Sequence, residues 1–286
     1  MIAQDMAGRY RLRPITLADA ADAYRLSSAV GWPHRAEDWR FVLSVGDGLV
    51  ATFDDRVVGT VMWWIYEAKV ARLGMVIVDP LLQGAGIGTA LMTAALSSIN
   101  VPTVILNATA VGELLYRRLG FEVVAEIMQF QGVPSAIPPA DTMANNSIRP
   151  AEGKDLEAVT ALDADAVGVR RGLVIAHLAE HADIVLLEQC GTAVGFAACR
   201  RFGRGYVVGP VVARDAAQAR ALFANLIKAK PGAFLRADVA VEAGLSNWLE
   251  EFGFAAIAPA ITMVRGPVPS TRTSVTMFSL VNQALG

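Results

Sequence analysis

Residues 76–92 read Val-Ile-Val-Asp-Pro-Leu-Leu-Gln-Gly-Ala-Gly-Ile-Gly-Thr-Ala-Leu-Met. A β-branched run stops at Asp79-Pro80. A glycine-dense turn follows, then apolar residues at helical spacing. This pattern predicts a strand, a tight loop and a helix N-terminus. Glycines let the loop amides converge, and the first helical turn adds unpaired N–H groups. Such a cradle suits a diphosphate. Some 30 residues on stands Tyr116, whose phenol is either a core group or a proton donor.

Two phosphate motifs are excluded. A P-loop needs a lysine after its last glycine, and Gly88 is followed by Thr89-Ala90. The dinucleotide fingerprint needs a third glycine at position 89, which is Thr89, and an acidic residue ending a second strand. What remains is Gln83-x-x-Gly86-x-Gly88. With its strand and Asp79-Pro80, it resembles the acyl-CoA loop of the GNAT superfamily of N-acetyltransferases. Residues 107–121 contain Leu115-Tyr116-x-x-x-Gly120-Phe121, which is similar to the element that ends the catalytic half of such domains. Leu115, Tyr116 and Leu119 share a helical face, and Gly120 stops the helix. Gly31-Trp32, Asp38-Trp39 and the run Ala108-Thr109-x-x-Gly112 resemble a bacterial branch of tandem GNAT proteins.

The resemblance implies acetyl-CoA as cofactor. It implies that the strand at Met75, Val76, Ile77 and Val78 pairs with the pantetheine arm, and that an N–H near Val76 or Ile77 faces the oxyanion. Gln83, Gly84, Ala85, Gly86, Ile87, Gly88 and Thr89 would then cradle the pyrophosphate, and Tyr116 would be the general acid. It also implies a sheet splayed between this strand and residues 103–108. The general base is open: Glu67, Asp38 and His34 are nearby in sequence, and a relayed water is the preferred reading. Trp63 and Trp64 must face opposite sides of a strand. Trp32, Asp38, Trp64 and Glu67 are the acceptor-pocket candidates, a set that would suit a basic amine.

The chain contains its plan twice. Arg13 and Arg149, Asp19 and Asp155, Gly59 and Gly195, and Asp79 and Asp215 all lie 136 positions apart. Gly120 and Gly253 lie 133 apart, so the second copy has lost three residues somewhere between the counterparts of Asp79 and Leu119, the interval that holds the phosphate loop. Its counterpart, residues 213–220, has no glycine, and Leu249 takes the place of Tyr116. The predicted fold class is therefore α/β: two tandem GNAT-like domains, each a mixed twisted sheet with helices on both faces. Residues 1–131 form the catalytic copy, 132–146 a proline-containing linker, 147–266 a degenerate copy without a cofactor loop, and 267–286 a tail apolar enough to pack back. The second copy is expected to bind no CoA and either complete the acceptor site or support the first copy.

Composition narrows the rest. At 286 residues the chain can hold two cores. Hydrophobic content is 54% and mean hydropathy +0.42, but no apolar run approaches a membrane span. A net charge of −2 gives no reason to expect nucleic acid. Cys190 and Cys199 read as buried thiols of a reducing cytoplasm, and the three histidines suggest no metal site. The expected partner is a small-molecule amine, with the chain a monomer or homodimer. Acetylation of a protein lysine or N-terminus is the alternative within the same chemistry. A non-catalytic acyl-CoA sensor or scaffold is the alternative outside it.

Overall fold

The computed structural model describes residues 10–136, 146–271 and 274–286. In the first half, β1 (Arg11–Pro14), β2 (Asp47–Phe53), β3 (Arg56–Tyr66), β4 (Val70–Val78), β5 (Thr103–Ala108) and β6 (Glu122–Gly132) alternate with α1 (Ala20–Ala29), α2 (Ala36–Leu43), α3 (Ile87–Ser98) and α4 (Ala110–Arg118). The second half repeats them as β7 (Asn146–Pro150), β8 (Ala182–Gln189), β9 (Thr192–Phe202), β10 (Gly205–Ala213), β11 (Leu235–Ala240) and β12 (Ala255–Arg265), with α5 (Leu156–Val167), α6 (Gly172–His181), α7 (Ala216–Ala229) and α8 (Ser246–Glu251). A last strand, β13 (Thr276–Ser279), lies in the tail.

The duplication is visible bond by bond. Arg13 grips both carboxylate oxygens of Asp19 at 2.6 and 2.9 Å, and Arg149 grips Asp155 at the same two distances. In each copy the aspartate also accepts the backbone N–H three residues before it, at 2.8 Å. That carboxylate satisfies an otherwise orphaned donor at the start of a helical segment.

The two sheets are not separate, which corrects the expectation of one sheet per copy. All thirteen strands among the described residues form one sheet, in the order β1-β2-β3-β4-β5-β12-β6-β11-β13-β10-β9-β8-β7. The copies have exchanged their last strands. β12 lies against β5 of the first copy, while β6 lies against β11 of the second. β6 and β12 pair antiparallel at the centre. Met263 of β12 is wholly buried in the same cluster as Leu91, Leu106 and Phe121 of the first copy. Phe130 of β6 packs into the second copy's core with Phe223 and Leu249.

Trp63 and Trp64 do face opposite sides. Trp63 joins the first-copy core and Trp64 a cluster that spans both copies. Cys199 is buried, but Cys190 is exposed in the turn after β8, so the expectation of two buried thiols holds for one. Most of the linker expected at 132–146 lies outside the described residues.

Candidate active site

β4 carries the feature that opens the site. Between Thr60 and Met62 of β3 stands one residue, while β4 fits two, Met75 and Val76, into the same interval. This bulge puts Met75 in the left-handed region at φ 53°, which few non-glycine residues adopt. Thr60 donates its hydroxyl to the Met75 carbonyl at 2.7 Å and locks it. Parallel pairing of β4 with β5 runs from Val70–Thr103 to Leu73–Leu106 and ends there. Beyond Leu73 the two strands part.

Past β4, Asp79 accepts the Leu81 N–H at 3.1 Å and caps a short 3₁₀ turn, Pro80–Leu82. Gly84 and Gly86 follow at φ 83° and 82°, and α3 begins at Ile87. A Cβ added at Gly84 or Gly86 would meet nothing within 4 Å, so the requirement there is conformational. Gly88 sits in the first turn of α3, where an added Cβ would meet the Val78 side chain at 3.6 Å.

Two cavities adjoin at the splay. One, of about 770 Å³, runs along Ile77, Val78, Gln83, Gly84 and Gly86 to Thr89 and reaches α4. The other, of about 640 Å³, lies between Gly74–Val76, the Trp32–His34 segment, residues of β9, β11 and β12, and the tail. Trp32, Val76, Thr109 and Tyr116 line both. Tyr116 is 8% exposed, and burial pushes its phenol up to about 12. Gly112, one turn earlier on α4, leaves room for the ring: a Cβ there would sit 2.7 Å from Tyr116 Cε2.

Of the residues expected to hold the cofactor, Val76, Ile77, Val78, Gln83, Gly84, Gly86, Ile87, Gly88 and Thr89 line the first cavity. Met75 lines the second instead, and Ala85 lines neither, packing toward the first-copy core. The acceptor candidates fare differently. Trp32 lines both cavities. Trp64 is buried, donating its indole N–H to the Val42 carbonyl at 3.1 Å. Asp38 is buried as well, accepting the Arg35 N–H and the Gly203 N–H at 2.9 Å each. Burial opposes its ionisation, but the Arg35 guanidinium and these hydrogen bonds hold its pKa below the usual carboxylate range. Glu67 sits in the β3–β4 turn, accepting the Arg170 N–H at 3.2 Å. These three line neither cavity, so the aromatic and acidic pocket expected from sequence is not assembled.

The second copy has lost the same devices structurally. Asp215 accepts the Gln218 N–H at 2.8 Å, and α7 starts at once on Ala216 with no glycine loop. Its splay, between β10 and β11, is filled by β13. The tail then turns at Asn282, whose side chain accepts the Ala284 and Leu285 N–H groups at 3.0 and 2.8 Å. Asn107 of β5 donates to the Gln283 carbonyl at 2.8 Å, so residues 282–284 wall the second cavity. Phe202, Arg204 and Arg236 add a wall from the second copy. None of these was marked as a site residue in the sequence, because only long-range pairing brings them there. His177, Glu180 and His181 do gather on α6, with potential ligand atoms within 4.8 Å of one another. Two of their nitrogens are already engaged, by Ser44 Oγ and by the His177 carbonyl.

Two family models, each described as an acetyltransferase (GNAT) domain, match residues 45–123 and 159–278. The chain carries two GNAT acetyltransferase domains in tandem. It is thereby an N-acetyltransferase by family, and that family uses acetyl-CoA. It is similar to the uncharacterized N-acetyltransferase YitH of Bacillus subtilis, at 24% identity over 92% of this chain and 93% of that protein. The fold matches a putative acetyltransferase from Pyrococcus horikoshii with a TM-score of 0.81, at 20% identity over 98% of this chain and 96% of that one. It also matches a tandem GNAT protein from the clavulanic acid biosynthesis pathway, with a TM-score of 0.66 and 14% identity over 91% and 99% of the two chains. No helix among the described residues is long and apolar enough to cross a membrane.

Proposed function

We propose that the first copy transfers an acetyl group from acetyl-CoA to the amine of a small molecule by direct attack. The observation that carries this reading is that Val76 and Tyr116 line both cavities at the point where β4 leaves β5. The residues fit the cofactor: a strand edge without a neighbour past Leu73, followed by two glycines at positive φ and a helix start. The edge of β4 would hold the pantetheine arm, and the amides of Gly84–Thr89 the pyrophosphate.

Acetyl-CoA supplies an activated acyl group: a C–S bond breaks, a C–N bond forms, the amine gives up a proton and the sulfur takes one. The chain positions both reactants, which is worth a large share of such a barrier. Burial keeps the Tyr116 phenol protonated at neutral pH, and in this reading it would donate toward the sulfur. The desolvation that raises the phenol would also raise a thiol held beside it, which keeps donor and acceptor matched. No carboxylate lines the second cavity among the described residues, and His34, which does line it, is pulled down to about 4 and is a weak base, so a relayed water would take the amine's proton.

The second copy and the tail roof the acceptor cavity, which supports a small acceptor over a protein segment. A phenol at the junction supports chemistry over sensing. The test is release of CoA thiol by the full chain from acetyl-CoA and a panel of amines. Gly86→Val and Gly88→Val should abolish both turnover and the rise in melting temperature that CoA gives, while the fold survives. An unchanged rise in both variants would refute the loop assignment.

A further inference from the structure

We propose that the acceptor is a small amine that also carries a carboxylate, and that Arg204 of the second copy binds that carboxylate. This rests on the acetyl-transfer reading and adds the substrate class. The charge census of the second cavity points to it. Two arginines, Arg204 and Arg236, line the cavity, and among the described residues no aspartate or glutamate does. Arg236 is committed: its Nε and Nη2 lie 2.8–3.2 Å from the Asp238 carboxylate. Asp238 also accepts Gln283 Nε2 at 3.1 Å.

Arg204 is different. It is exposed at the β9–β10 turn, with its guanidinium 4.8 Å from the Phe234 ring centre. Among the described residues it has no ion pair and no side-chain hydrogen bond. A guanidinium presents a planar fork of donors that matches a carboxylate in bidentate fashion. Stacking on an aromatic ring holds such a fork in place at little entropic cost.

A second observation lies behind this wall. Arg200 is 3% exposed, and its Nε and Nη2 are buried without partners. Its guanidinium stands 5.0 Å from the centre of the Phe202 ring, which lines the cavity. Asp38 is 3.6 Å away, but that carboxylate is shared with Arg35. Positive charge therefore exceeds negative around the cavity. The neighbouring imidazole registers it: burial foremost, then the charges of Arg236 and Arg200, pull His34 down to about 4 against the pull of Asp38. A diamine would bring a second cation into this field. An amino acid would bring a compensating anion, and the same field would favour the neutral, nucleophilic form of its amine.

The test uses the full chain, saturating acetyl-CoA and matched acceptors: an amino acid, its carboxamide and the decarboxylated amine, in series of different lengths. CoA thiol release should show kcat/KM at least about tenfold higher for the carboxylate member of one series. Arg204→Gln should collapse that ratio toward one, and Arg204→Glu should invert it in favour of a diamine. Arg201→Gln, on an exposed arginine over Tyr206 outside the cavity lining, should leave the ratio as it is. If amines release CoA with no preference for a carboxylate, or an amine phosphate is preferred, acetyl transfer stands and this inference falls. If acetyl-CoA binds and no amine releases thiol, the transfer reading falls and takes this inference with it. A carboxylate preference that survives in both Arg204 variants overturns the assignment to Arg204.

Discussion

The hydroxyl of Ser279 donates to the carbonyl of Val208 at 2.8 Å. Val208 is the first residue of β10 beyond its parallel pairing with β11, which ends at Val207–Arg236. Ser279 then pairs with Val211 on one side and Val239 on the other. The tail therefore enters the second copy's splay just where the strands part. At the matching place in the first copy, β4 and β5 part after Leu73 and a cavity follows. The tail acts there as an internal extra strand, in the position proposed for pantetheine in the first copy.

One CoA per chain is the expected stoichiometry by titration calorimetry. The second slot is filled, and the Asp215 carboxylate takes an amide at the start of α7. Ser279→Pro removes the hydroxyl and a ladder donor, so it should lower stability without creating a second site. Two sites per chain, in either protein, would defeat this account.

Tyr116→Phe should lower kcat by about 10²–10⁴-fold with little change in acetyl-CoA affinity. The ring is retained, so its packing with Phe121 and against Gly112 persists. Wild-type turnover at neutral pH in this variant would mean that the phenol is only structural and solvent protonates the sulfur.

Much of this was legible in the sequence because it is local. The glycines at positive φ, the Asp79 cap and the helix of Tyr116 are each written within a short stretch of consecutive residues. The repeat offset also matched Arg13 with Arg149 and Asp19 with Asp155, residues that the structure joins within each copy as equivalent ion pairs. What was not legible is set by long-range pairing. Nothing local tells β12 to pair with β5, or residues 276–279 to enter the second splay. Asp38 illustrates the cost of this: an acid beside tryptophans reads as a pocket residue until Arg35, Gly203 and Arg200 are seen to enclose it.

His34 should make the fold sensitive to mild acid. Its pKa is pulled from 6.5 to about 4, so the unfolded chain takes up a proton before the folded chain does. Stability from this group is present above pH 6.5 and is lost as the pH falls toward 4, by at most about 3 kcal/mol. Denaturant midpoints measured at pH 7 and pH 5 should fall less for His34→Gln than for the wild type. Parallel losses in the two proteins would show that the imidazole is already solvated.

Strand exchange makes the halves interdependent, and residues 1–146 alone should fail to form a stable monomer. Removing the second copy strips β12 from β5, leaving an unpaired strand edge of the kind that seeks another chain. It also removes Met263, which is wholly buried in the first-copy core beside Leu106 and Phe121. In the full chain, Met263→Ala should cost about 2–5 kcal/mol, the range for truncating a buried methionine. Because β6 and β12 pair with each other and with both copies, that loss should lower one shared unfolding transition. The separate half should aggregate or associate into dimers. A monomeric, cooperatively folded fragment of residues 1–146 with full turnover would show that the exchanged strand is dispensable, and that the second copy and tail contribute nothing the first copy lacks.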